Sequence, residues 1–237
     1  MHTAAAIRPR GRSPSRAARN TPAHLSAAIE SDSVIDVRVR SRARVALLVF
    51  VAGGLGGALL DQIHVRAHVL GYAHPDLAGQ PWWVGPQFGI AVLAILLTVM
   101  GFQRAAPSRD RAPFAFDAAS FVLAYVLTGV FRRHPWVVLL LLLAMWVVML
   151  LVHGPRRWVV AVSLGLAVVG PIYESLLTWT GAFHYTVTPL VLRVPVWLPA
   201  LYLNAGVLAA SAARALASER VRAPARTTEP APSSPAA

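Results

Sequence analysis

The sequence predicts an all-α integral membrane protein of about six transmembrane helices, with both termini on the cytoplasmic side. Three observations lead there. Hydrophobic residues make up 56% of the 237 residues and charged residues only 14%, and the mean hydropathy is +0.56. The charges are segregated: nine of the 22 arginines lie in residues 1–44, and three more follow Ala217. The stretch between is almost uncharged over runs of ~20 residues, the length that crosses a ~30 Å hydrocarbon layer.

Composition also excludes several chemistries. Without cysteine there is neither a disulfide framework nor a thiolate nucleophile. Every basic residue is arginine, which fits coding bias in a GC-rich bacterial genome. It equally fits arginine's phosphate-binding fork at an anionic lipid surface. The net charge of +12 does not imply nucleic-acid binding, because the arginines are scattered over tails and short loops and form no basic face.

Residues 1–43 are rich in Ala, Arg, Ser and Pro and poor in large apolar groups. Such a stretch cannot bury enough surface to offset its chain entropy, so it reads as a disordered basic tail. A cleaved leader would carry its apolar stretch near the start, so the first apolar run is expected to be a retained helix. Residues 44–217 then hold the six-helix transmembrane domain, with spans at about 45–64, 83–102, 114–131, 136–153, 158–180 and 194–217. The third run is short and carries Asp117 near its start; the fourth is the most apolar. Residues 218–237 read as a second disordered tail. The runs lack the alternation a barrel needs, which leaves helices as the spanning structure.

Arginine placement sets the orientation. With a cytoplasmic N-terminus the inside receives the nine of the tail, Arg104, Arg109 and Arg111 of the second loop, Arg156 and Arg157 of the fourth, and the four from Arg214 onward. The outside receives Arg66, Arg132, Arg133 and Arg193, so the ratio is 18 to 4. Arg132–Arg133 is the dissenting pair, and it puts a full span by the third helix in question. No internal repeat is evident, which weighs against repeat-built transporters.

A few polar residues stand out in the apolar runs. Glu174 lies well inside the fifth, three to four residues after Gly170–Pro171, where proline removes a helical hydrogen bond and favours a kink. A carboxyl at such depth faces a cavity or a partner. It is either a wall for a ligand headgroup or a tie between helices. Thr178 shares its face at i, i+4, and Gln87 of the second helix and Asn204 of the sixth are the polar residues expected to join it. Asp61 and Gln62 end the first helix, where interfacial capping is the simplest role for Asp61. His64, His68, His74 and Asp76 could in principle ligate zinc or iron, but no HExxH pattern accompanies them, so no metal site or cofactor is assigned. Gly53-Gly54-Leu55-Gly56-Gly57 reads as a helix-packing seam, as does Ala205–Ala215. Trp82, Trp83, Trp136, Trp158 and Trp197, all at run ends, read as an aromatic belt.

Two blocks carry a family resemblance. The first is LLDQIHVRAHVLGYAHPD followed by PWWVGPQFG, residues 59–76 and 81–89; the second is ESLLTWTGAFHYT followed by VWLPALYLNAGVLAASAARAL, residues 174–186 and 196–216. Gln62-Ile63, Trp82-Trp83-Val84 with Pro86, Gly181 with Phe183, Tyr185 and Thr186, Trp197-Leu198-Pro199, and Arg214 with Leu216 resemble the pattern of the Insig (insulin-induced gene) family. The resemblance implies six helices with both ends in the cytosol and a lipid-accepting cavity between them. Animal members bind oxysterols and hold the escort protein Scap. Here the loop His153–Arg157 lacks the family's acidic residue, and Val137–Leu143 is purely aliphatic where the sterol site is polar. A Scap-type partner is therefore not implied.

The expected function is non-catalytic binding of a membrane lipid, sterol-like or glycerolipid, by Gln62, Gln87, Tyr173, Glu174, Thr178 and Asn204. A homo-oligomer and a bacterial plasma membrane location (the endoplasmic reticulum in a eukaryote) belong to the same reading. The alternatives are an intramembrane enzyme on a lipid or isoprenoid, with Glu174 as proton donor and Tyr173 or Tyr185 beside it, and a small transporter.

Overall fold

The computed structural model describes residues 21–103, 113–154 and 156–222, with side chains for 40–102, 113–154 and 156–218. Six helices account for most of it: α1 Thr21–Arg66, α2 Val84–Gln103, α3 Phe114–Val130, α4 Pro135–His153, α5 Arg157–Trp179 and α6 Leu198–Arg222. Five contain stretches long and apolar enough to cross a membrane, namely Arg40–Arg66, Val84–Phe102, Pro135–His153, Arg157–Trp179 and Leu198–Ser218. Helix α3 has 17 residues. At 1.5 Å per residue it reaches about 25 Å, short of a full hydrocarbon layer.

Two features depart from the sequence reading. Helix α1 begins at Thr21, so residues 21–43, expected to be unstructured, have helical backbone. A helix already nucleated in the apolar run propagates through an alanine- and arginine-containing segment without a second nucleation cost. Residues 1–20 of that tail and 223–237 of the other lie outside the described residues, and α6 continues to Arg222. The second departure is a set of short strands in an otherwise helical chain. In the α1–α2 connection, β1 Leu70–Tyr72 pairs antiparallel with β2 Phe183–Tyr185 of the α5–α6 connection, with Leu70 opposite Tyr185 and Tyr72 opposite Phe183. Strands β3 Leu190–Val191 and β4 Val194–Pro195 form a second pair. Three-residue strands carry no readable alternation.

The chain divides into two units, Met1–Leu47 and Leu48–Ala237. Helix α6 is the centre of the second unit, packing against α2, α3, α4 and α5. Small residues permit this. A Cβ on Gly206 would collide with Ser163 Cα, so α5 and α6 touch backbone to backbone. The α1–α2 contact is a glycine seam as expected. A Cβ on Gly54 would lie 2.8 Å from the Gly85 carbonyl oxygen, and one on Gly89 would lie 2.6 Å from that of Phe50. Gly53 and Gly57 admit Val92 and Phe88, whereas Gly56 faces open space.

The core at the end where α5 gives way to α6 forms around Trp197, which is 0% exposed, with Val69, Leu70, Phe183, Tyr185, Leu198 and Leu201. Trp197 is thus no part of an aromatic belt. Trp82 and Trp136 are 75% and 60% exposed, but the strand-bearing connection folds Trp197 inward against the rings of His64 and Tyr185. The dissenting Arg132 also finds its reason. Its guanidinium donates to the backbone carbonyls of Ala67 and His68, just past the end of α1, where helix carbonyls lack partners.

Candidate functional site: a tyrosine-lined cavity

Helices α1 and α5 end, and α2 and α6 begin, at the same end of the bundle, and there the polar residues converge. A cavity of about 70 Å³ is lined by Asp61 and His64 of α1, Leu70 and Tyr72 of the first connection, Trp83, and Gln87, Phe88 and Ala91 of α2. Its other walls are Tyr125 of α3, Tyr173 and Glu174 of α5, Phe183 and Tyr185 of β2, and Leu198, Leu201 and Tyr202 of α6. The chain has five tyrosines, and all five line this one chamber. A second pocket of about 210 Å³ adjoins it, bounded by His74, Pro81, Trp83, Gln87, Leu177 and Ala182. Trp83 and Gln87 belong to both.

Glu174 is held by two phenols. The Tyr202 hydroxyl donates to Oε1 at 2.7 Å, and that of Tyr185 donates to Oε2. Tyr202 can approach because the residue one turn before Glu174 is a glycine. A Cβ on Gly170 would overlap the tyrosine ring. Tyr185 arrives from the other side: just past the end of α5, Gly181 takes a left-handed conformation, φ 77°, and the chain turns directly into β2.

Asp61 is held in the same manner. Its Oδ2 accepts the Tyr72 hydroxyl at 2.8 Å and the Gln80 amide at 2.7 Å. Gln80 also donates to the Ala58 carbonyl at 3.0 Å. It is delivered by a tight turn in which Ala78 and Gly79 have φ of 52° and 87°, with Leu77 and Gln80 bridged across it. Burial, then the nearby Asp61 charge, pushes the Tyr72 hydroxyl well above its ordinary pKa. Burial and the Glu174 charge do the same to Tyr185. Both phenols therefore stay protonated and act as donors.

His64 completes the inner wall, 3% exposed and stacked on Tyr125 with ring centroids 4.6 Å apart. Its Nε2 lies 2.6 Å from Thr128 Oγ1. The single hydroxyl proton of Thr128 goes to the Tyr125 carbonyl, so Nε2 of His64 is the donor in that contact.

No protein-family model and no curated protein matches the chain. Among solved structures it is similar to MvINS, a mycobacterial Insig homologue from Mycobacterium vanbaalenii. The identity is 26% and the TM-score 0.61, over 71% of this chain and 91% of that one. Against a cross-linked MvINS trimer the identity is again 26%, with a TM-score of 0.64 over 74% of this chain and 95% of that one. The chain is an Insig-like membrane protein.

In this Insig-like protein the blocks that carry the resemblance gather at the cavity, which Trp83, Phe183, Tyr185 and Leu198 line. Of the six residues expected to bind a ligand, Gln87, Tyr173 and Glu174 share it. The other three do not line it. Gln62 donates to the Ala78 carbonyl at 2.9 Å and pins the first connection. Thr178 turns back to the Ser175 carbonyl at 2.7 Å. Asn204 is buried between helices, donating to the carbonyls of Leu142 on α4 and Ala200 on its own helix.

Asp61, His64, Tyr72, Tyr125 and Tyr202 were not expected there as ligand contacts. Asp61 in particular is a buried cavity wall and not an interfacial cap. The readable signal was the scarcity of tyrosine, with Tyr125 and Tyr202 each alone in an apolar run. Among the described residues no three His, Asp or Glu side chains come together as metal ligands.

Proposed function

We propose that this Insig-like protein holds a membrane lipid, sterol-like or glycerolipid, in the tyrosine-lined cavity without transforming it. The observation that carries this is the state of Glu174. Both of its oxygens are engaged by phenol hydroxyls, which anchors the carboxyl in place, whereas the enzyme reading needs an oxygen free to pass a proton to a substrate. The chamber of about 70 Å³ takes a headgroup, not a whole lipid. Tyr173, 43% exposed yet lining the cavity, marks where hydrocarbon would pass out along α5. Self-association in a bacterial plasma membrane belongs to the same proposal and draws support from the trimeric neighbour.

Mass spectrometry of lipids that co-purify with the full chain tests the reading. One lipid class should be retained stoichiometrically and unchanged, and Glu174→Leu should release it. Chemical conversion of the retained lipid by the wild type would replace this reading with the enzymatic one. Flux of it into sealed vesicles would replace it with transport.

A further inference from the structure

Hydrogen bonding inside the cavity is one-sided. Tyr72 gives its proton to Asp61, and Tyr185 and Tyr202 give theirs to Glu174, so these three phenol oxygens face any ligand as acceptors. Asp61 Oδ2 takes two bonds; among the described residues Oδ1 takes none. His64 donates through Nε2 to Thr128, which leaves Nδ1 as an acceptor, again without a partner among the described residues. The remaining donors are the amide of Gln87, the indole of Trp83 and the hydroxyls of Tyr125 and Tyr173. Two carboxylates thus share a chamber whose lining contains no arginine. Buried charge of one sign must be balanced by protons or by a bound cation. The side chains of Tyr72, Trp83, Tyr125, Tyr173, Tyr185 and Tyr202 line the chamber with these carboxyls, and the π faces of such rings attract cations.

We propose that the cavity recognises a primary ammonium group carried by a long-chain lipid, through Asp61, Glu174 and the surrounding aromatic rings. This rests on the reading that the cavity holds a membrane lipid, and it names the headgroup chemistry. A primary ammonium brings three N–H donors to a site rich in acceptors. A hydroxyl or an ester brings one donor or none.

The test compares three probes by thermal shift and titration on the full chain in neutral detergent: octadecylamine, octadecanol and soluble ethanolamine. The amine is expected to bind about tenfold or more tightly than the alcohol, the difference a charge-assisted hydrogen bond supplies. The net charge of +12 opposes nonspecific uptake of a cation. Glu174→Gln should abolish the preference for the amine, so that amine and alcohol bind the variant equally. If that variant does not fold, Asp61→Asn serves, and the wild-type comparison decides on its own. Equal binding of amine and alcohol overturns the ammonium assignment and leaves lipid binding standing. Ethanolamine binding as tightly as octadecylamine keeps the ammonium and overturns the lipid reading. No binding by any probe overturns both.

Discussion

Gly170 and Tyr202 are complementary: a Cβ on the glycine would overlap the tyrosine's Cε1. One turn further along α5, Glu174 accepts that ring's hydroxyl. The missing side chain on one helix and the aromatic ring on the next therefore set where the carboxylate's partner stands.

Gly170→Ala is accordingly expected to displace the Tyr202 ring, which cannot yield by rotating a flexible end. Overpacking of this kind costs about 1–3 kcal/mol. Thermal unfolding in detergent should show it, along with reduced lipid retention. Wild-type stability and retention in the variant would mean that the ring is not seated against α5.

Arg132 and Arg133 should behave differently although they are adjacent. Arg132→Ala removes the donor from the Ala67 and His68 carbonyls and should cost about 1–2 kcal/mol. Arg133 is exposed, and its alanine variant should unfold at the wild-type temperature. Equal effects of the two variants would contradict the capping role.

Both termini are expected in the cytoplasm, from the 18-to-4 arginine asymmetry. Reporter fusions at either end should be active only in the cytoplasmic assay. An externally active C-terminal fusion would require an odd number of spans, with α3 failing to cross.

Deleting residues 1–43 should leave stability in detergent nearly unchanged, because that stretch offers little apolar surface to bury, while affinity for anionic vesicles falls. A drop of several degrees in melting temperature would show that it packs on the helices.

The helices were legible because an apolar run near 20 residues has few alternatives in lipid. Their boundaries failed mainly where the connections matter. Residues 194–197, read as the start of the sixth helix, form β4 and the turn that buries Trp197, and Pro199 then sits in the first helical turn, where its missing N–H costs nothing. At the site, Glu174 announced itself because a carboxyl in an apolar run is costly. Gln87 and Asn204 were equally isolated in sequence, yet only Gln87 reaches the cavity. Isolation in an apolar run does not say which residue reaches the cavity and which ties two helices together. Asp61 was hidden by its position near a helix end, since the two strands and the Gln80 turn that bury it have no periodic signal.

The helix against which α2, α3, α4 and α5 all pack follows all four of them in the chain. Strand β1, synthesised early, also waits for β2, more than a hundred residues later in the chain. During biogenesis α2, α3, α4 and α5 therefore have no central partner, and the cavity lacks its Tyr202 wall, until α6 enters the bilayer. A chain truncated before α6 would lack a ligand site however well its other helices had inserted, so acquisition of the ligand can begin only once α6 has been made.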